Sequence, residues 1–168
     1  KYYKNEVILK DLGHDLLPHI TKYKTLCTDI IPILLIVFCF RAMRPDLAEI
    51  ANVISIIMIL RMISYRLTIF PTSDEKCDGV HANGGCHDKM FSGHTALVTA
   101  ICLFVAKSKP KLQVPCILTV LLQMFMSVAT RSHYSVDVFI GALIAGLVYS
   151  NKNYLPFPTL CEIPIEEV

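Results

Sequence analysis

Five apolar runs follow one another along the chain, separated by connections that carry more charge than the runs themselves. The first covers about Cys27 to Phe40 and is closed by Arg41, Arg44 and Pro45. The second covers Leu47 to Phe70 and stops at Pro71, and the third runs from Ser92 to Ala106 before Lys107, Lys109 and Lys111. The fourth and fifth cover Leu112 to Ala129 and Tyr134 to Ser150. About 20 apolar residues let a helix cross the ~30 Å hydrocarbon core of a bilayer. Five such runs in series predict an all-α polytopic transmembrane helix bundle. The first and third are short enough to read also as buried helices of a soluble α-protein, but the repetition excludes a single-span or signal-anchored protein.

Ahead of the first run, Ile8, Leu9, Leu12, Leu16 and Ile20 recur near helical spacing among Lys10, Asp11, His14 and Asp15. That pattern fits an interfacial amphipathic helix, with a solvated linker as the alternative. After Lys152, Pro156, Pro158, Pro164 and the acidic Glu162, Glu166 and Glu167 describe an exposed tail. The organisation expected is residues 1–24 as an N-terminal interfacial segment, 25–151 as the membrane domain and 152–168 as a cytoplasmic tail.

Composition sharpens this picture. Of 168 residues, 54% are hydrophobic and 18% charged, which excludes a disordered or charged soluble scaffold. A net charge of +2 without a basic run gives no nucleic-acid footprint and favours lipid partners. The chain begins with Lys1 rather than Met and carries no leader pattern, so it reads as a fragment or a processed protein.

The connections carry a charge bias. One side receives Arg41, Arg44, Lys107, Lys109, Lys111 and Lys152, and is expected to be cytoplasmic. The other receives the loop from Pro71 to Phe91 and the turn from Thr130 to His133, although Lys22 and Lys24 fall there too. Five spans put the two ends on opposite sides, so a sixth span upstream is expected. Cys27, Cys39, Cys102 and Cys116 sit in or beside apolar runs as small core residues. Cys77 and Cys86, near His81 and His87, leave a disulfide, free thiols or a metal site open, but their spacing matches no common zinc pattern.

Ionisable residues are costly beside spans and are functional by default. Here they gather at three helix ends on the non-cytoplasmic side. In Ser92-Gly93-His94, the serine can cap a helix, the glycine lets substrate approach the backbone, and the helix start favours an anion, phosphate above all. His133 and Asp137 are four residues apart, so a helix puts them on one face. The carboxylate can then hold one ring nitrogen and raise the basicity of the other, making a nucleophile or base. A purely structural His–Asp pair is the alternative. Arg61 opposes the charge bias of its side and reads as an anion binder, with Ser64, Tyr65 and Thr68 near its face and Arg66 turned partly away. Two histidines, a carboxylate and an arginine beside a helix N-terminus form a phosphoryl-transfer constellation.

These residues resemble the sphingomyelin synthase and sphingolipid synthase group of the type 2 phosphatidic acid phosphatase (PAP2) superfamily. Three ordered motifs carry the resemblance over about Asp11 to Ser150. They are Arg61-Met62-Ile63-Ser64 with Thr68 and Pro71; Cys86-His87-Asp88-Lys89-Met90-Phe91-Ser92-Gly93-His94-Thr95, similar to C-G-D-x-x-[FY]-S-G-H-T; and His133-Tyr134-Ser135-Val136-Asp137-Val138, similar to H-Y-[ST]-x-D-V. The resemblance implies a six-span bundle with His94, His133 and Asp137 as a catalytic triad and no metal or other cofactor. Arg61, Ser92, Gly93 and Arg131 are the expected phosphate-binding residues. It further implies transfer of a phospho-head group from a glycerophospholipid donor to a ceramide-like acceptor, on the lumenal or exoplasmic face of Golgi, endoplasmic reticulum or plasma membrane. Homo-oligomerisation stays open.

The rival is a lipid phosphate phosphatase, in which water resolves the same intermediate. Superfamily phosphatases are similar to one another in a K-x6-R-P motif and in an arginine six residues before the second histidine. This chain has Arg44-Pro45 but Val37 at the lysine position, and Ser127 at the arginine position. Less positive charge favours a diester donor over a monoester dianion. Arg131, two places before His133, stands where choline-transferring relatives carry an acid, and is more similar to plant inositol-phosphoceramide synthases. Phosphocholine, phosphoethanolamine and phosphoinositol head groups all remain open.

Overall fold

The computed structural model describes residues 9–20, 22, 30–42, 47–68, 71, 80–81, 84–85 and 90–155. Six α-helices account for most of them: α1 (Leu12–Leu16), α2 (Ile31–Ala42), α3 (Leu47–Leu67), α4 (Gly93–Ser108), α5 (Gln113–Ala129) and α6 (Ser135–Ser150). A two-residue ladder pairs β1 (Val80–His81) with β2 (Gly84–Gly85), antiparallel. Cys77, Cys86, His87 and the tail from Pro156 onward lie outside the described residues, as do Lys24, Cys27 and Arg44.

Helix α4 is the hub. It buries residues on every side, among them Thr95, Ala96, Val98, Ala100, Ile101 and Phe104, and its small residues let neighbouring backbones approach closely. From α3, Ile50, Val53 and Ile57 pack towards the centre. Along α6 the buried Asp137, Gly141, Ala145 and Val148 share one face at helical spacing. The outward faces carry large aliphatics: Ile59, Met62 and Ile63 on α3; Ile117, Leu118 and Leu121 on α5; Phe139, Leu143 and Leu147 on α6. Small and polar side chains inside with large apolar ones outside suit a lipid surround rather than water.

Among the described residues, a membrane helix bundle is supported but five full spans are not shown. Two helical stretches among the described residues are long and apolar enough to cross a membrane, Leu47–Leu67 with 21 residues and Pro110–Ala129 with 20, the latter being α5 with its leading 3-10 turn. Helices α4 and α6 have 16 residues each and α2 has 12. At ~1.5 Å per residue, 16 residues cover about 24 Å, less than a bilayer core. For α4 and α6 the shortfall lies at their starts, where Phe91, Ser92, Ser132, His133 and Tyr134 are non-helical yet buried. Irregular backbone is tolerated at such depth when protein covers it.

The chain runs up and down, and its ends sort by charge. Lys107, Lys109 and Lys111 occupy the connection from α4 to α5, and the Lys109 ammonium lies 5.4 Å from the Phe38 ring near the end of α2. Lys152, after α6, pairs with Glu49 in the first turn of α3 and lies over the Phe104 and Tyr149 rings. The starts of α4 and α6 meet at the opposite end.

Candidate active site

The turn from α5 into α6 is built by its own hydrogen bonds. The Ser127 carbonyl accepts the N–H groups of both Ser132 and His133 at 3.1 Å, and the Thr130 hydroxyl lies 2.9 Å from that of Ser132. Arg131 takes a left-handed φ of 56°, which reverses the chain inside four residues. His133 thereby sits at the mouth of α6, 6% exposed. Asp137, one turn on and fully buried, accepts the Tyr134 N–H at 3.1 Å through Oδ2, capping the helix. The same Oδ2 lies 3.7 Å from His133 Nδ1. That is longer than a formed hydrogen bond, a spacing common in catalytic pairs without substrate.

The start of α4 is locked to this turn. Ser92 donates its N–H to the Asp137 carbonyl at 3.0 Å. A Cβ placed on Gly141 would stand 2.6 Å from the Ser92 carbonyl oxygen, so only glycine lets α6 lie against that peptide. The Ser92 hydroxyl accepts from the Thr95 N–H and hydroxyl at 3.3 and 3.0 Å and is fully buried, so it serves as the helix cap expected of it. His94 follows in the first turn, half-buried.

Arg61 completes the cluster from α3. Its Nε donates to the Phe91 carbonyl at 3.3 Å, and its guanidinium lies where a Gly93 Cβ would be, 2.7 Å from Nε. Sequence reasoning gave the Gly93 gap to substrate; the structure gives it to arginine. Ser64 is turned back onto the Leu60 carbonyl of its own helix, and Arg66 lies over the Tyr65 ring. Arg61, Ser92, Gly93, His94, His133 and Asp137 thus share one end of the bundle.

Arg131, expected to bind phosphate, makes a contact that the sequence did not show. Its Nη2 donates to the carbonyls of His14 and Leu17 at 2.6 and 3.4 Å, closing the end of α1. Here lies what sequence reasoning missed. Leu12 and Leu16 are 71% and 72% exposed, while the polar side of α1 docks on the turn that carries His133. His14 Nε2–H donates to the His133 carbonyl at 3.0 Å, and its ring stacks on Tyr134 at 5.2 Å. Asp11 caps α1 through the Gly13 N–H and accepts the Ser135 N–H of α6 at 2.6 Å. Burial raises the Asp11 carboxyl pKa, but the Ser135 and Gly13 hydrogen bonds and nearby His14 outweigh it and hold the group below its ordinary value. Pro18 ends the helix, leaving five helical residues where the apolar spacing had predicted a longer one. The only signal for this contact was the polar side of the amphipathic pattern, Asp11 with His14, which says nothing about a partner more than a hundred residues away.

Residues 85–154, the stretch holding both histidines and the aspartate, match the model of the PAP2 superfamily C-terminal domain. As a whole the chain shares its fold with the crystal structure of Aquifex aeolicus LpxE, at a TM-score of 0.63 and 19% identity, over 80% of this chain and 82% of that one. No curated protein matches it significantly.

Proposed function

We propose that the protein is a membrane enzyme of PAP2 type that moves a phospho-head group from a glycerophospholipid to a lipid alcohol such as ceramide, through a phosphohistidine on His133. The observation that carries the reading is His133 itself, with Nδ1 turned to buried Asp137 and the start of α4 and Arg61 beside it. Once Nδ1–H closes on the carboxylate, Nε2 has its lone pair for phosphorus. Nε2 attacks, the bond from phosphorus to the diacylglycerol oxygen breaks, and His94 delivers the proton that oxygen needs. His94 then takes the proton of the acceptor hydroxyl, whose oxygen displaces Nε2 and restores His133. Arg61 and the first-turn amides of α4 stabilise charge on the phosphoryl oxygens.

Two features support a lipid diester as donor. Ser127 and Gln123, buried and hydrogen-bonded to each other at 3.2 Å, put neutral groups at the position that resembles the phosphatase arginine. Arg131 is tied to α1. An apolar cavity of about 340 Å³ between α4 and α5, lined by Thr99, Cys102, Ala106, Gln113, Cys116 and Val120, suits the hydrocarbon chain of a diester or a monoester alike. The gathering of lysines at the far end supports a lumenal or exoplasmic site. Hydrolysis of a lipid phosphate is the second reading, supported equally by the PAP2 match, since water differs from a lipid hydroxyl only in the second step.

Membranes containing the protein, given fluorescent ceramide and a panel of donors, separate the two. A new phospho-ceramide is the expected product; phosphate release from phosphatidate without it would replace transferase by phosphatase. His133→Ala abolishes either activity, and unchanged turnover in that variant would remove the nucleophile.

A further inference from the structure

We infer that α1 is a positioning element of the catalytic machinery, with His14 and Asp11 setting the place of His133 from outside the bundle. The inference rests on the phosphoryl-transfer reading above and extends it to a segment that the matched domain, residues 85–154, does not contain.

Contacts from Asp11, His14, Leu17 and Ile20 converge on the stretch from Ala129 to Ser135. His14 Nε2–H donates to the carbonyl of the proposed nucleophile at 3.0 Å, and its ring covers Tyr134. Asp11 takes the Ser135 N–H, the second orphan amide of α6 after the one taken by Asp137. Arg131, two residues before His133, returns the tie by donating to the carbonyls that end α1. Ile20 adds a backbone bond to the Ala129 carbonyl at 2.9 Å. Gly13 is the contact point, where a Cβ would clash with the Ser135 hydroxyl and stand 2.9 Å from Val128 Cγ1.

A turn of five non-helical residues held only by its own bonds can rock about its ends. A nucleophile needs its nitrogen on line with phosphorus, and a misplacement of ~1 Å costs on the order of 100-fold. Fixing the His133 carbonyl fixes the peptide plane from which the imidazole projects. Neither His14 nor Asp11 has to touch the lipid, so each acts through His133.

The test compares the wild type with His14→Ala, His14→Gln, Asp11→Asn and Gly13→Ala in detergent or vesicles. His14→Ala and Gly13→Ala are expected to lower kcat about 10- to 100-fold with KM changed little, and thermal unfolding to stay cooperative. Gln keeps an N–H donor of similar reach, so His14→Gln recovers most of kcat. Hydrogen exchange over residues 127–137 reports docking without any turnover, and is expected to accelerate in His14→Ala but not in His14→Gln. Unchanged kcat in His14→Ala overturns the positioning role, whether or not exchange accelerates, as does a loss that His14→Gln fails to recover. A wild type silent with every donor but showing the exchange pattern overturns the functional reading while leaving α1 docked on the turn.

Discussion

Asp137 serves two partners with one oxygen. Its Oδ2 caps α6 through the Tyr134 N–H and faces His133 Nδ1. Asn can keep the cap through its carbonyl oxygen but brings no charge to an imidazolium. Asp137→Asn is therefore expected to retain the fold and lose about 100- to 10,000-fold in kcat, read as turnover against thermal unfolding in one preparation. Gly93 offers a different kind of change. A Cβ there meets the end of a flexible arginine, so Gly93→Ala displaces Arg61 at small cost to stability and lowers activity, in parallel with Arg61→Ala. Asp11 titrates below its ordinary value, so its contribution to stability is fully present above the unfolded-state pKa of about 4 and is lost as pH falls through the folded value. The difference in unfolding temperature between wild type and Asp11→Asn should hold at neutral pH and shrink only in that acid range.

At the scale of elements, helix positions were legible because apolar run length, Pro71, the lysine cluster and the Ser92 cap all mark boundaries locally. Predicted runs of 47–70, 92–106, 112–129 and 134–150 became helices at 47–67, 93–108, 113–129 and 135–150. What could not be read is how an element is used. The apolar run containing Ile31 yielded a described helix of 12 residues, and the amphipathic N-terminal segment turned its polar side to the site. The Asp137 spacing showed a shared face with His133, but the need for Gly141 one turn further on depends on a backbone 49 residues away. Gly141→Ala forces α6 off the Ser92 carbonyl, which cannot swing aside. It is expected to destabilise by about 1–3 kcal/mol and to abolish activity, measured by unfolding in detergent beside turnover.

At the scale of the whole molecule, the two ends do different work. The end holding Lys152, Glu49, Phe104 and Tyr149 ties α3, α4 and α6 together far from the site. Lys152→Ala should lower the unfolding temperature slightly and leave kcat unchanged, because one partly exposed pair is worth about 1 kcal/mol or less. Loss of kcat in that variant would mean that the ends communicate.

Ser92 gives its N–H to the Asp137 carbonyl and rests its own carbonyl on Gly141, so the two histidine-bearing helix starts are fastened backbone to backbone. They cannot part without dismantling the machinery they carry. Kinematically α4 and α6 are one rigid jaw. Arg61, a side chain on α3, and the short docked α1 are the fastenings of the other walls, and side chains swing where peptides do not. On the proposed reading, the seam between α4 and α6 is closed to a lipid, and entry falls to the flanks formed by α1, α3 and the α4–α5 face.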